Sequence, residues 1–221
     1  MQAPTRLDDG AYHDGMRRLQ DRFDSRRLAD RLADRLSRRA FSGDDRAFIE
    51  GCPMFFLATA DALGRPDCSF KGGEPGFVRV TGESEFAFPS YDGNGMFRSL
   101  GNLLVNPAVG VLFVDWERPD RLRVNGTARI CDDLDPLMGS FIGAQLVVRV
   151  VASVIFPNCP RYLPRMAVAE RSAFVPRAGY TPPVPAWKRF EVFRDVLPRD
   201  DQARDDSASA RAHCPTSAGP R

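Results

Sequence analysis

The apolar positions of this chain change period twice, and those changes divide it. From Asp14 to Ala40, Leu19, Phe23, Leu28, Leu32 and Leu36 recur at mostly helical spacing among arginines and aspartates. That stripe predicts a helix interrupted near Ser25. The unit RLADRLADRL repeats every four residues, so its apolar line drifts around the helix and suits docking on a body better than a long coiled coil. Two readings stand for this segment: a solvated or docking arm, and a basic helix for nucleic acid or membranes whose field the interleaved aspartates dilute.

After an N-cap at Ser42 or Asp44 and a short turn through Phe48, the pattern becomes one of strands. MFFLATA (Met54 to Ala60), the DALGR turn and PDCSFKG (Pro66 to Gly72) predict a hairpin. GFVRVTG (Gly76 to Gly82) and EFAFPS (Glu85 to Ser90) predict a second, with Phe86 and Phe88 on one face and Glu85 and Ala87 on the other. A glycine-rich loop, YDGNG, then precedes Met96, Leu100, Leu103 and Leu104 at helical spacing, and Asn106-Pro107 stops that helix. AVGVLFVDW (Ala108 to Trp116) and RLRVNGTARI (Arg121 to Ile130) read as interior strands. DDLDPLMGSF reads as a short helix or turn, and AQLVVRVVASVIF (Ala144 to Phe156) is long enough to serve two sheet regions. NCPRYLPRM reads as a helix start, AGYTPPVPAW as a proline-rich crossing and WKRFEVFRDVL as helical, before a tail of low order.

Strands joined by short turns, with one helix inserted after the fourth, predict a mainly β fold: a six-stranded antiparallel split β-barrel with peripheral helices. A βαβ sheet would need a helix after nearly every strand. The expected division is an N-terminal helical arm (1–43), a barrel domain (44–197) and a disordered tail (198–221).

Composition narrows the chemistry. The 221 residues carry 31 Lys+Arg against 29 Asp+Glu, so no broad cationic field exists for a phosphate backbone and nucleic acid is not expected as a partner. Only Lys71 and Lys188 are lysines, and the histidines are His13 and His213, so little is available for general base work or a His-based metal site. The five cysteines are widely spaced without a CxxC pair, which predicts reduced thiols, a cytoplasmic setting and no metal site. The Met1 end lacks the apolar core of a signal peptide and no apolar run approaches membrane-span length, so no membrane association is expected.

Chemistry concentrates in SFKGG (Ser69 to Gly73), FPSYDGNGMFRSLGN (Phe88 to Asn102) and RVNG (Arg123 to Gly126). A strand-to-helix junction offers unpaired backbone N–H groups to an anion. Asn94, Gly95, Arg98 and Ser99 crowd that junction, Lys71 adds a compact charge, and Gly72 and Gly73 permit close approach of backbone or a flat ring. The plain alternatives are a DGNG turn without a ligand, Arg98 covering an apolar face with its stem, a solvated Lys71, and Asn125-Gly126 as a bulge. Cys159-Pro160-Arg161 reads either as a thiol beside a cation or as a loop cysteine without a role.

In this order MFFLATAD, GRPDCSFKGGEPGFVRV, AFPSYDGN, SLGNLLVNPAVGVLF, LRVNGTARI and FPNCPRY resemble the FMN-binding split-barrel proteins related to pyridoxamine 5'-phosphate oxidase, and more narrowly their flavin-nucleotide-binding branch. The resemblance covers roughly Asp44 to Met166, with weaker echoes in the Asp14 to Ala40 helix and in AWKRFEVFRDVLP. It implies a homodimer with two FMN molecules at the subunit interface. The strand of Ser69, Phe70, Lys71 and Gly72 would run along the flavin, and the helix start with Asn94, Arg98 and Ser99 would hold its phosphate. Pro89 and Ser90 would lie near the isoalloxazine, Asn102 would reach the ligand or cap the turn, and Arg123 and Asn125 would approach from a neighbouring strand or the partner chain. The implied function is a flavin-dependent oxidoreductase acting on a small molecule, the alternative being a flavin-nucleotide carrier or sensor without turnover. No catalytic residue is assigned. Pyridoxamine phosphate oxidases end in an Arg-x-His pair and an Arg-Leu-x-Pro signature, whereas this chain reads FRDVLPRDDQ, which argues against a B6 substrate. Some split barrels bind a deazaflavin or haem, and for haem the interior lacks an axial ligand.

Overall fold

The helical stripe breaks where the sequence predicts. In the computed structural model, which describes residues 12–131, 135–199 and 201, α1 (Asp14–Arg22) and α2 (Arg26–Leu36) are separated at Asp24, whose φ is +49°. Polar contacts hold the pair: Arg17 to Asp30 at 2.6 Å and Tyr12 Oη to the Ala29 carbonyl at 2.8 Å. Met16, Leu19, Phe23, Leu28 and Leu32 stay exposed. Ser42 caps α3 (Gly43–Gly51) through a capping box with Asp45, which two hydrogen bonds and Arg38 hold in a buried position.

Seven strands follow: β1 (Met54–Ala60), β2 (Pro66–Gly72), β3 (Arg79–Val80), β4 (Glu85–Tyr91), β5 (Ala108–Asp115), β6 (Asp120–Cys131) and β7 (Ala144–Asn158). They form one antiparallel sheet in the order β2-β1-β5-β6-β7-β4-β3, so the strand count exceeds the expected six by the two-residue β3. The edge strands β2 and β3 are not paired with each other, which leaves the barrel split. Helix α4 (Arg98–Val105) is inserted between β4 and β5. It begins later than its apolar spacing implies: Met96 lies outside it, exposed, and the N-cap is Phe97 in the left-handed region at φ +48°.

The sheet must curl, because β1 and β4 are four places apart in it, about 19 Å if it were flat. Yet the Phe55 ring meets that of Phe88 edge-on at 5.0 Å, that of Phe113 at 5.3 Å and that of Phe77 in a stack at 5.8 Å. Leu57, Phe86, Val111, Val124 and Ile155 complete the buried cluster, and Leu100 and Leu103 of α4 join it. Strand β7 serves two regions, as its length predicts. It pairs with β6 from Val147 to Asn158 and with β4 from Ala144 to Val151. Beyond Val151 its other edge is met at Ile155 by Arg38.

The described residues through Arg171, with Val175–Tyr180, form one compact unit. A second comprises Ser172–Phe174 and the residues from Thr181. In the second, the expected WKRFEVFRDVL helix appears as a 3₁₀ turn (Ala186–Arg189) and a short α5 (Glu191–Arg194), and Lys188 is buried against Asp201 at 2.9 Å. NCPRYLPRM forms no helix; Tyr162 there has φ +67°. DDLDPLMGSF yields a 3₁₀ turn at Met138–Ser140, with 132–134 outside the described residues. The expected tail beyond Asp201 also lies outside them, as do His213 and Cys214. Among the described residues no helix is long and apolar enough to cross a membrane, and no His/Cys/Asp/Glu group could hold a metal.

Two local features carry sharp expectations. The register shifts at Asn125/Gly126, where a Cβ on Gly126 would meet the Val151 carbonyl oxygen at 2.1 Å. Gly126→Ala should therefore cost more than about 2 kcal/mol in urea unfolding. Gly110→Ala, whose nearest contacts would be ordinary at 3.7 and 3.8 Å, should be nearly neutral. Arg149 grips Asp135 at 2.5 and 2.9 Å and Glu85 at 2.6 Å, and its hydrogen bonds to Asp135 hold that carboxyl far below the usual carboxylate range. A depressed carboxylate stabilises the fold above its ordinary pKa and loses that contribution as pH falls. Asp135→Asn should cost about 3 kcal/mol at neutral pH, and the gap to the parent protein should narrow below about pH 4.

Candidate functional site

Register decides which predicted residues can meet. Across β2, β1, β5 and β6 one row runs Lys71, Phe55, Phe113, Leu122, on the core side. The adjacent row runs Phe70, Phe56, Leu112, Arg123 and continues to Phe156 on β7, on the outer side. Ser69 and Asp67 alternate with Lys71 along the core side of β2.

The start of α4 meets that same face. Ser99 is buried, and its hydroxyl lies 2.8 Å from Ser69 Oγ and 3.1 Å from Asp67 Oδ2. Arg98 donates through Nε to Asp67 Oδ1 at 3.1 Å, while its terminal nitrogens make no hydrogen bond among the described residues and its side chain is 64% exposed. No side chain caps α4, so its first-turn N–H groups are available to an acceptor. Lys71 is half-buried without an ion pair or hydrogen bond among the described residues, and burial pushes its pKa below the usual lysine value, while the charge of Asp67 pulls it back up. A partly desolvated cation without a partner is costly for folding alone and marks a place where an anion is wanted.

The other predicted residues fall elsewhere. Phe70 is 59% exposed on the outer face, in edge-on contact with Phe56. At Gly72 and Gly73 the rings that come close are the chain's own: a Cβ on Gly72 would meet the Phe70 ring at 2.7 Å, and one on Gly73 the Phe77 ring at 2.4 Å. Pro89 is buried opposite Val147, and Ser90 faces the other way beside a register shift. Asn94 is exposed and caps its own loop, accepting from Met96 N–H at 3.0 Å. Asn102 donates to the buried Thr59 hydroxyl at 3.0 Å, tying α4 to β1. It also lines a cleft of about 280 Å³ with Asp61, Arg65, Pro66, Asp67 and Arg98. Arg123 and Asn125 are exposed on the outer face, so the neighbouring-strand route to Lys71 is closed within one chain. Cys159 is exposed, and its carbonyl accepts from Arg121 at 2.7 Å.

Composition and motif reading missed Asp67. Alternation alone places it with Ser69 and Lys71, but its pairing with Arg98, 31 residues away, belongs to the fold.

Residues 42–170 match the family model described as pyridoxamine 5'-phosphate oxidase. The chain belongs to that family. The matched stretch runs from the α3 cap past the end of β7, so it contains the Lys71, Ser69 and Ser99 junction and every strand. Similar solved structures include HupZ of Group A Streptococcus, 21% identical, covering 57% of this chain and 99% of that one at TM-score 0.44. Another is a putative pyridoxamine 5'-phosphate oxidase from Lactobacillus delbrueckii, 19% identical, covering 54% and 95% at TM-score 0.44. A third is HutZ, a heme storage protein from Vibrio cholerae, 17% identical, covering 53% and 95% at TM-score 0.40. No curated protein matches the chain.

If Lys71 is held for a ligand, the fold should not need it. Lys71→Met should leave the urea midpoint unchanged or raised at neutral pH. Because the folded state holds this proton less tightly than the unfolded chain, the parent protein should gain on the variant as pH rises toward the usual lysine range. A clear loss of stability in Lys71→Met at neutral pH would assign the lysine a structural part.

Proposed function

We propose that this family member binds FMN at the interface of a homodimer and acts as a flavin-dependent oxidoreductase on a small molecule. The observation that carries the reading is the unpartnered, half-buried Lys71 on the strand face where Ser69 meets Ser99 at an uncapped helix start. A phosphate there would accept from Lys71 Nζ, from the terminal nitrogens of Arg98 and from the first-turn N–H groups of α4. Each charge-assisted bond is worth about 1.5–3 kcal/mol, with the helix dipole adding to them. These residues fit a phosphate group, and the two hydroxyls orient one another beside it.

The outer row supports the dimer. Phe70, Phe56, Leu112 and Phe156 form a partly exposed apolar strip across the sheet, with Arg123 set in it and Asn125 two residues further along on the same face. A second copy laid on this face would bury the strip together with Arg123 and Asn125. Bound FMN supplies the hydride or electron chemistry, leaving the protein to bind, orient and exclude water. The scarcity of histidine in the sequence favours the second reading, a flavin-nucleotide carrier or sensor. NAD(P)H or a reduced partner should bleach and a defined acceptor restore the flavin of an enzyme, whereas a carrier should release it intact.

The freshly purified protein should absorb near about 370 and 450 nm, as oxidised flavin does. Lys71→Ala and Arg98→Ala should each weaken FMN by about tenfold or more while changing riboflavin affinity little, measured by equilibrium dialysis. Equal loss for both ligands would move the phosphate elsewhere. A protein that stays colourless and retains no added FMN would end the reading.

A further inference from the structure

Three groups assigned above to the phosphate share one neighbour. Asp67 accepts from Arg98 through one carboxylate oxygen and from Ser99 through the other, both at 3.1 Å, and its charge also acts on Lys71. Its side chain is 15% exposed, against 64% for Arg98. An anion therefore already stands where cation, hydroxyl and helix start converge. A dianionic phosphate and an ionised carboxylate repel strongly at such separations in a partly desolvated site.

We propose that Asp67 is an internal carboxylate occupant of this site, which a phosphate held by the free terminal nitrogens of Arg98 repels from Arg98 Nε and from Ser99, so that Asp67 sets the preference for phosphorylated over unphosphorylated ligand. The inference rests on the phosphate placement proposed above. Room for the displaced carboxylate lies beside it, in the cleft that Asp67 shares with Arg65. Arg65 is bound to Asp61 through Nε at 2.6 Å and its side chain is 77% exposed, so its terminal nitrogens are open to a second carboxylate. Displacement thus exchanges one guanidinium partner for another. The occupant also serves the ligand-free protein, because it keeps the exposed Arg98 and the buried Ser99 hydroxyl in place.

Asp67→Asn keeps the shape and an acceptor for Arg98 but removes the charge. Its affinity for FMN should rise about tenfold over the parent protein while that for riboflavin stays within about twofold. Inorganic phosphate should compete with FMN at correspondingly lower concentration. Asp67→Ser, uncharged and smaller, should shift the preference in the same direction and stands in if the asparagine variant fails to fold. Weaker FMN binding in both variants would make Asp67 a residue that orients Arg98 and overturn the proposal, as would equal shifts for FMN and riboflavin. If the parent protein takes up neither flavin, the flavin reading fails on its own. Calorimetric titration with inorganic phosphate then decides: tighter phosphate binding by Asp67→Asn supports the occupant, and unchanged binding overturns it.

Discussion

The rings around Phe55 impose the constraint on which the rest depends. A sheet of seven strands has no reason to bring its second and sixth members together unless side chains between them demand burial. Phe55, Phe77, Phe86, Phe88 and Phe113 make that demand from β1, the β2–β3 connection, β4 and β5. Aromatic pairs of this kind bury large areas and favour edge-on and offset contacts, so the curl they impose is specific as well as stable. Leu100 and Leu103 enter the same cluster from α4, which fixes where that helix lies. The position of the Arg98–Ser99 turn against β2 is then a by-product of core packing.

That origin explains the character of the site. It is assembled from the rim of the core: an edge strand whose core-side residues, Asp67, Ser69 and Lys71, are all polar, and a helix whose inward residues turn polar at Ser99. Ser69 and Ser99 satisfy each other there at 2.8 Å. Lys71 continues the row with no partner of its own among the described residues, so stability is spent at one position in a region otherwise well satisfied. Exposed Arg118, paired with Asp115, shows the contrasting habit, a contact worth little to the fold.

What could be read from the sequence was what period and local chemistry determine. The break near Ser25, a cap at Ser42 or Asp44 of which the structure takes Ser42, the β1–β2 hairpin, the stop at Asn106-Pro107 and the double service of β7 all follow from neighbours in the chain. Local reasoning failed where distant partners decide. Met96 has helical spacing, but the left-handed turn at Phe97 delays the helix. Gly72 and Gly73 indeed admit a flat ring, yet the rings belong to Phe70 and Phe77. Arg98 was legible as a cation but not as one held by Asp67. Strand parity separates Lys71 from Phe70, but only the registers through β1 and β5 place Arg123 on the side opposite Lys71.

The double role of β7 has a temporal consequence. Its first half completes the sheet beside β4, its full length backs β6, and Arg38, from far upstream, pairs with its Ile155. Early hairpins can form as the chain emerges from the ribosome, but β4 has no interior neighbour until residues synthesised much later arrive. Closure is therefore a late, non-local event that costs loop entropy before it is rewarded. Until then β4 lacks the long ladder partner that fixes it in the sheet, and the burial of Phe86 and Phe88 against Phe55 and Phe113 waits on that closure.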